Sequence, residues 1–394
     1  MTCFYSFFRK RQGSPPRRTR DVDDEVSGIQ NTHLYTYKEL RVATENFSPG
    51  NKIGQGGFGS VYKGTLRDGS VAAIKVLSAG SSQGVREFLT EIELITDIEH
   101  ENLVKLSGCC VEGSHRILVY GYLDNNSLAQ TLLGGRCSSI QFSWPVRRKI
   151  CIGVAQGLAF LHEEVQPHIV HRDIKASNIL LDRNLMPKIS DFGLAKLFPN
   201  NETHISTRVA GTAGYLAPEY ALRGQLTRKA DIYSFGVLLL EIVSGRSNTN
   251  KRLPSEEQYL LERVWEVHEK GELEKLVDTS LNDDYDAEEA CRYMKIGLLC
   301  TQVMPKLRPS MSTVVKMLTG EEDVSNENIT KPGLLSELLG IREGKTQKSK
   351  ASTKNSASTG SASTSKMDND SSLSPSVTTS HATMTFNSMF DRSN

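Results

Sequence analysis

No run of about 18 apolar residues, the length that spans a bilayer, occurs in the 394-residue chain. The longest apolar stretch, around Phe235 to Val243, is interrupted by Gly236 and Glu241, so no transmembrane helix is expected. A secretory leader is also missing, and the seven cysteines, an odd number, show no repeating Cys-x-x-Cys spacing. Both absences point to a reducing cytosolic compartment, with Cys109 and Cys110 as core thiols. Charge of one sign is scarce as well: the net charge is +1, so no global excess draws nucleic acid or another polyanion, and only local clusters carry an electrostatic argument. Position 2 is Thr rather than Gly, which excludes N-myristoylation.

What is present is enough to bury a substantial core. At 394 residues and 38% hydrophobic content, the chain has room for roughly two or three domain-sized units. Residues 1 to 20 combine Cys3-Phe4-Tyr5-Ser6-Phe7-Phe8 with six bases and no acids, and the acidic run Asp21 to Glu25 follows. A signal peptide places its charge before its apolar segment, the reverse of this order. A thiol beside aromatic anchors and a polybasic strip is the two-signal arrangement that holds a protein on an anionic membrane once Cys3 is acylated. A disordered basic tail is the alternative reading of residues 1 to 32.

From His33 to Ser48, Thr36-Tyr37-Lys38-Glu39 has capping-box spacing and Leu40 and Ala43 continue an apolar face, so a leader helix is expected. Next comes Ile53-Gly54-Gln55-Gly56-Gly57-Phe58-Gly59-Ser60-Val61, with glycines at offsets 0, 2 and 5. A lone G-x-G-x-x-G also marks dinucleotide-binding oxidoreductases, but only when a helix follows. Here Val61-Tyr62 continue as a strand, Arg67-Asp68-Gly69-Ser70 makes a hairpin turn, and Val71 to Val76 makes a third strand. That context favours a loop folded over nucleotide phosphates by its backbone amides.

Lys75 enters from the apolar third strand, where a charge needs a partner. A helix over about Val85 to Ile98 places Val85, Phe88, Leu89, Ile92 and Ile95 on one face. Of its acids Glu87, Glu91 and Glu93, we select Glu91, which lies between Phe88 and Ile95 and so turns toward the sheet. Strands over Val104 to Val111 and Arg116 to Tyr120 complete an antiparallel sheet of about five. A polar linker, Asp124 to Ser127, leads to a helical region that begins with Pro145 to Glu164. The expected fold class is therefore α+β.

Within His171-Arg172-Asp173-Ile174-Lys175-Ala176-Ser177-Asn178 lie a carboxylate, an ammonium and a carboxamide at fixed offsets. Phosphoryl transfer needs a base near the attacking hydroxyl, a cation near the phosphate and an oxygen ligand for magnesium. Alone the stretch reads equally as a solvated turn. Thirteen residues after Asn178 comes Asp191-Phe192-Gly193, and a polar loop bearing Thr203, Ser206, Thr207 and Thr212 runs to Ala217-Pro218-Glu219.

This ordered set resembles the signature of protein kinases over about residues 50 to 320. Lys175 resembles the serine/threonine class, and Asp231 and Arg308 match further family positions. Tyr37-Lys38-Glu39-Leu40, Gly211-Thr212-Ala213-Gly214-Tyr215-Leu216 and Tyr120 before the linker are similar to plant receptor-like kinases. With no ectodomain or membrane span, the resemblance is to the receptor-like cytoplasmic branch. One departure is Gly121, where the family usually has Glu; adenine recognition there uses backbone groups.

The resemblance implies a bilobal fold: an N-lobe over 49–123 with five antiparallel strands and one main helix, and a mostly helical C-lobe over 124–320. It implies ATP with Mg2+ between the lobes, beneath Ile53, Gly54, Gln55, Gly56, Gly57, Phe58, Gly59 and Ser60. Val61 and Ala73 would face adenine, with Gly121 and Leu123 at the linker. Lys75 would hold the α- and β-phosphates and be oriented by Glu91, while Asn178 and Asp191 ligate the metal. Asp173 would accept the proton of a serine or threonine hydroxyl and Lys175 steady the γ-phosphate.

Arg172, a guanidinium in need of an anion, implies switching by a phosphate on the loop, with Thr207 first, Ser206 and Thr203 as alternates, and Thr212 facing substrate. The implied partners are protein substrates, upstream membrane receptor kinases and an anionic membrane surface at the cytoplasmic face of the plasma membrane, with no nucleic acid. A catalytically silent scaffold is the competing reading, and such proteins usually lose one of the metal or base residues that are all present here. Residues 321–394, rich in Ser, Thr, Asn and Lys, are expected to be a disordered tail.

Overall fold

The computed structural model describes residues 32–334, except 57–58, 79–81, 135–139, 200, 255–256 and 325–326. Cys3, Gly57, Phe58 and the chain beyond residue 334 lie outside the described residues.

Strands β1 (Lys52–Gly56), β2 (Gly59–Thr65), β3 (Val71–Leu77), β4 (Leu106–Glu112) and β5 (His115–Gly121) form one antiparallel sheet in the order β1-β2-β3-β5-β4, and β4 and β5 are buried on both faces at their centres. Because side chains alternate across a strand, adjacent residues serve opposite faces. Cys109 joins Leu77, Phe88, Ile92 and Leu118 on one face, and Cys110 joins Leu40, Ala72, Ile74, Ile117 and Val119 on the other. Both thiols are fully buried and free.

Helix α2 (Ser82–Ile95) seals the first face through Phe88 and Ile92. The second face is covered by helix α1 (Tyr37–Ala43), whose Leu40 is fully buried. Thr36 and Glu39 form the expected reciprocal capping box, satisfying amides that would otherwise be orphaned at the helix start. Upstream of α1, the Tyr35 amide donates to Cys109 O at 2.8 Å and the Cys109 amide to His33 O at 2.9 Å, so the leader also extends the β4 edge.

A single turn, α3 (Leu128–Thr131), follows the linker, and α4 (Trp144–Ala159) continues into a wider turn over Phe160–Glu164. The remaining helices are α5 (Pro218–Arg223), α6 (Arg228–Ser244), α7 (Leu260–Glu269), α8 (Ala287–Cys300) and α9 (Met311–Thr319). Helix α6 is buried along nearly its whole length. It approaches α8 backbone to backbone at Gly236, where a Cβ would come within 2.8 Å of Gly297 O. Paired short strands β6 (His168–Val170) with β9 (Lys196–Phe198), and β7 (Ile179–Leu181) with β8 (Pro187–Ile189), hold the two loops that carry the polar motifs.

Two boundaries differ from the sequence expectation. The α2 helix begins and ends three residues earlier than the apolar face alone indicates. The packed chain also runs past residue 320, since Val324 is 3% exposed and Leu334 is 8% exposed. Their apolar contacts lie on the C-lobe core, a tertiary partner that local composition does not reveal.

Candidate active site

Lys75 projects from β3 between two carboxylates. Its Nζ lies 2.5 Å from Glu91 Oε1 on α2 and 2.7 Å from Asp191 Oδ1 in the C-lobe. Burial alone would lower the pKa of this ammonium; Asp191 and Glu91 reverse that and hold it above its ordinary range. Asp191 is held below the usual carboxylate range, with Lys75 outweighing the opposing effect of burial. Glu91 is fully buried, and its second oxygen accepts from the hydroxyl of Tyr120 on β5. Of the three acids weighed on α2, then, Glu91 meets the lysine.

Glu87 is one turn earlier, its carboxyl pushed up to about 7 chiefly by burial. It faces Gly193, where a Cβ would come 3.1 Å from Glu87 Cγ. Asp191 itself adopts φ 67°, ψ 71°. A left-handed Asp is strained, and such strain persists where surrounding contacts fix it, commonly at functional sites.

The loop between β6 and β7 gathers the second group. Asp173 Oδ2 lies 2.8 Å from Lys175 Nζ, and the Thr212 hydroxyl donates to Asp173 Oδ1 at 2.7 Å while accepting from Lys175 at 2.8 Å. Asn178 Nδ2 donates to the Asp173 carbonyl at 2.9 Å and to its Oδ2 at 3.2 Å. That orientation leaves the Asn178 carboxamide oxygen with one long contact, from the Ser177 hydroxyl at 3.5 Å; it is a hard donor suited to a divalent cation, as is the partly exposed Asp191 carboxylate. Among the described residues no group of three His, Cys, Asp or Glu side chains could hold a metal. Two protein oxygens are what a magnesium site completed by substrate phosphates requires.

The loop is fixed from below. Asp231, in the first turn of α6, accepts from the amides of His171 at 2.7 Å and Arg172 at 2.8 Å, and contacts His162 at 3.0 Å. Arg172, at φ 71°, donates to Tyr220 OH at 2.6 Å, Leu194 O at 2.8 Å and Arg208 O at 3.0 Å. These are phenol and backbone oxygens, not a hydroxyl of the expected switch loop. The cation that does meet Thr207 is Lys196 on β9, whose Nζ donates to Thr207 Oγ1 at 2.9 Å. Thr203 and Ser206 are exposed, Ser206 on the short strand β10 (Ile205–Ser206) paired with β11 (Gln225–Leu226).

Around the cleft, Val61 and Ala73 lie half-buried on β2 and β3, with Val61 opposite Lys75. Ile53 is exposed, and Gln55 accepts from Lys52 at 2.7 Å. Gly54, Gly56, Gly59 and Ser60 form the β1–β2 hairpin. At Gly59, φ is 146° and a Cβ would fall 2.0 Å from Val76 O, so no other residue fits. Gly121 ends β5, and Leu123 packs on the C-lobe core. Lys196 and Tyr220 carried no sequence signal, because their roles depend on a two-strand pairing and on a phenol brought back by α5.

A two-lobed fold with a lysine–glutamate pair in one lobe and an Asp/Lys/Asn loop in the other defines the protein kinases, and a family model for the protein kinase domain matches residues 47–318. The chain belongs to that family, whose members use ATP and a divalent metal. It is 69% identical over 328 residues to cold-responsive protein kinase 1 of Arabidopsis thaliana, covering 83% of this chain and 84% of that protein. It is also 54% identical over 323 residues to a probable LRR receptor-like serine/threonine-protein kinase of the same plant, covering 82% of this chain but 31% of that one. The chain thus spans about a third of its receptor-like relatives. It is a plant-type serine/threonine protein kinase, and proteins are its substrates.

Proposed function

We propose that ATP and Mg2+ bind between the lobes and that Asp173 accepts the proton of a protein serine or threonine hydroxyl as it is phosphorylated. The carrying observation is that the Asp173 carboxylate already binds a threonine hydroxyl, that of Thr212, at 2.7 Å, with Lys175 beside both. A substrate hydroxyl has the same chemistry. Bound MgATP supplies the transferable phosphoryl group and the positive charge that offsets its oxygens.

Lys75, locked by Glu91 and Asp191, is a fixed cation for phosphate oxygens, and Tyr120 keeps Glu91 from turning away. Asn178 and Asp191 are the metal ligands. The β1–β2 hairpin with Val61, Ala73, Gly121 and Leu123 encloses the nucleotide. Chemistry of this kind draws chiefly on positioning and charge stabilisation. In the full-length protein, Asp173→Asn lowers kcat by about 10²–10⁴-fold with ATP binding retained; unchanged phosphate incorporation sinks the base assignment.

Regulation runs through Thr207. Lys196 lies beside its hydroxyl, and burial together with the neighbouring Arg172 guanidinium lowers the lysine's pKa. Two cations at close quarters gain from an added dianion, so phosphate on Thr207 would be held by both and fix the loop. Thr207→Ala then fails to reach wild-type activity after incubation with MgATP, and full activity in that variant removes Thr207 from the switch. We also propose peripheral attachment to the plasma membrane through Cys3 and the basic segment, with membrane receptor kinases upstream.

A further inference from the structure

The family match stops at residue 318, yet the described residues beyond it, as far as Leu334, stay packed on the C-lobe. After Val324 packs into the C-lobe, residues 327–334 cross its base, with Pro332, Gly333 and Leu334 buried. Gln302 is the receiving side chain. Its amide nitrogen donates to Leu299 O at 3.3 Å and Leu307 O at 2.9 Å, which fixes Oε1 toward the crossing segment. That oxygen accepts from the Thr330 amide at 3.2 Å and the Thr330 hydroxyl at 2.7 Å.

Gly333 is then held on three sides. Its amide donates to Thr301 O at 3.2 Å, its carbonyl accepts from Tyr233 OH at 2.6 Å, and a Cβ there would fall 2.2 Å from Pro218 Cγ. Pro218 opens α5 beside Glu219, whose carboxylate takes a two-pronged ion pair from Arg308 at 2.8 and 2.9 Å. The Arg308 guanidinium lies 5.1 Å over the Tyr233 ring. The residues just before Pro218 carry Thr212, on Asp173, and Tyr215, on Glu241 at 2.7 Å.

We propose that residues 327–334 are a clasp that sets the position of Pro218-Glu219, and through it the loop Gly211–Ala217 against which a peptide substrate lies. Gly333 and Thr330 are its positioning residues. The proposal rests on the reading above that this loop faces substrate. A displaced Pro218 moves the loop rather than the nucleotide site, so the defect belongs in peptide binding.

The test compares full-length wild type, Gly333→Ala, Thr330→Val, Pro218→Ala, Gly333→Ala/Pro218→Ala and Thr212→Val, measuring KM for a serine peptide, KM for ATP, and kcat. Gly333→Ala raises peptide KM by about tenfold with ATP KM unchanged, in line with the sensitivity of transfer to small misplacements. Thr330→Val, which removes one donor without changing shape, moves it the same way by about fivefold.

Pro218→Ala deletes the atom the new methyl strikes, so the double variant recovers part of the loss, whereas additive effects overturn the clasp. If Thr212→Val alters peptide KM or kcat while Gly333→Ala and Thr330→Val alter neither, the clasp is overturned and the loop assignment stands. If none of the three has an effect, the loop assignment and the clasp both fall. Should Gly333→Ala not fold, Thr330→Val decides by the same criterion.

Discussion

At Asp231 one buried carboxylate accepts from two consecutive amides, those of His171 and Arg172, and thereby fixes the backbone that presents Asp173. His171 completes the support by contacting Ser190 O at 3.1 Å, which ties the catalytic loop to the residue before Asp191. Burial lowers the pKa of His171, against the opposing pull of the Asp231, Asp173 and Asp191 carboxylates. A different buried acid, Glu241, carries a pH signature. Burial pushes its carboxyl up to about 7 from an ordinary 4.5, although Tyr215 and the Asn248 amide donate to it. Between those pH values the folded chain binds a proton that the unfolded chain has released, so Glu241 makes stability fall as pH rises from 4.5 toward 7. In denaturant titrations across pH 4.5–8, Glu241→Gln shows a flatter decline than wild type; parallel curves would rule out this source of pH dependence.

Among the elements, α1 and α2 clamp the same sheet from opposite faces. Glu91 reaches Lys75 only because Phe88 and Ile92 seat α2 on Leu77 and Leu118. The leader reaches toward α2 as well, since the hydroxyl of Thr32 donates to that of Thr96 at 3.2 Å, just past the helix end. The leader precedes the family match at residue 47, yet Leu40 is as deeply buried as any core residue. Replacing Leu40 by Ala leaves a cavity under the outer face of the sheet and costs about 2–5 kcal/mol, the usual range for a buried leucine. Urea unfolding measures it, and a loss below about 1 kcal/mol would mean that the leader is a passenger rather than part of the lobe.

Over the whole molecule, the two lobes meet through the Lys75–Asp191 ion pair and through backbone contacts such as the Val104 amide to Ile189 O at 3.0 Å. The leader packs on one lobe and residues 327–334 on the other. The membrane attachment proposed above belongs to the same scale, because it would act on the molecule through a segment outside the described residues. Cys3→Ser shifts the full-length protein from the membrane to the supernatant fraction in plant cell fractionation, and unchanged membrane recovery dismisses acylation at Cys3. Among the described residues no helix is long and apolar enough to cross a bilayer.

Much of the candidate site was legible in the sequence because phosphoryl transfer demands particular groups at particular offsets. The order Gly54-x-Gly56, Lys75, Asp173, Lys175, Asn178, Asp191 needs only the chain to be read, and the choice of Glu91 needed only helical period and polarity. The sheet was legible for a different reason, its apolar runs being separated by turn residues. What the sequence left open were the contacts that belong to no local pattern. Lys196 beside Thr207, Tyr220 under Arg172, the buried Tyr120–Glu91 contact and Gly333 against Pro218 each join residues from elements distant in the chain. The sequence by itself determined which chemical groups this kinase possesses and in what order. Only the tertiary structure decided which of them touch, because hydrogen bonds and close packing are set by distances of a few ångströms that spacing along the chain does not encode.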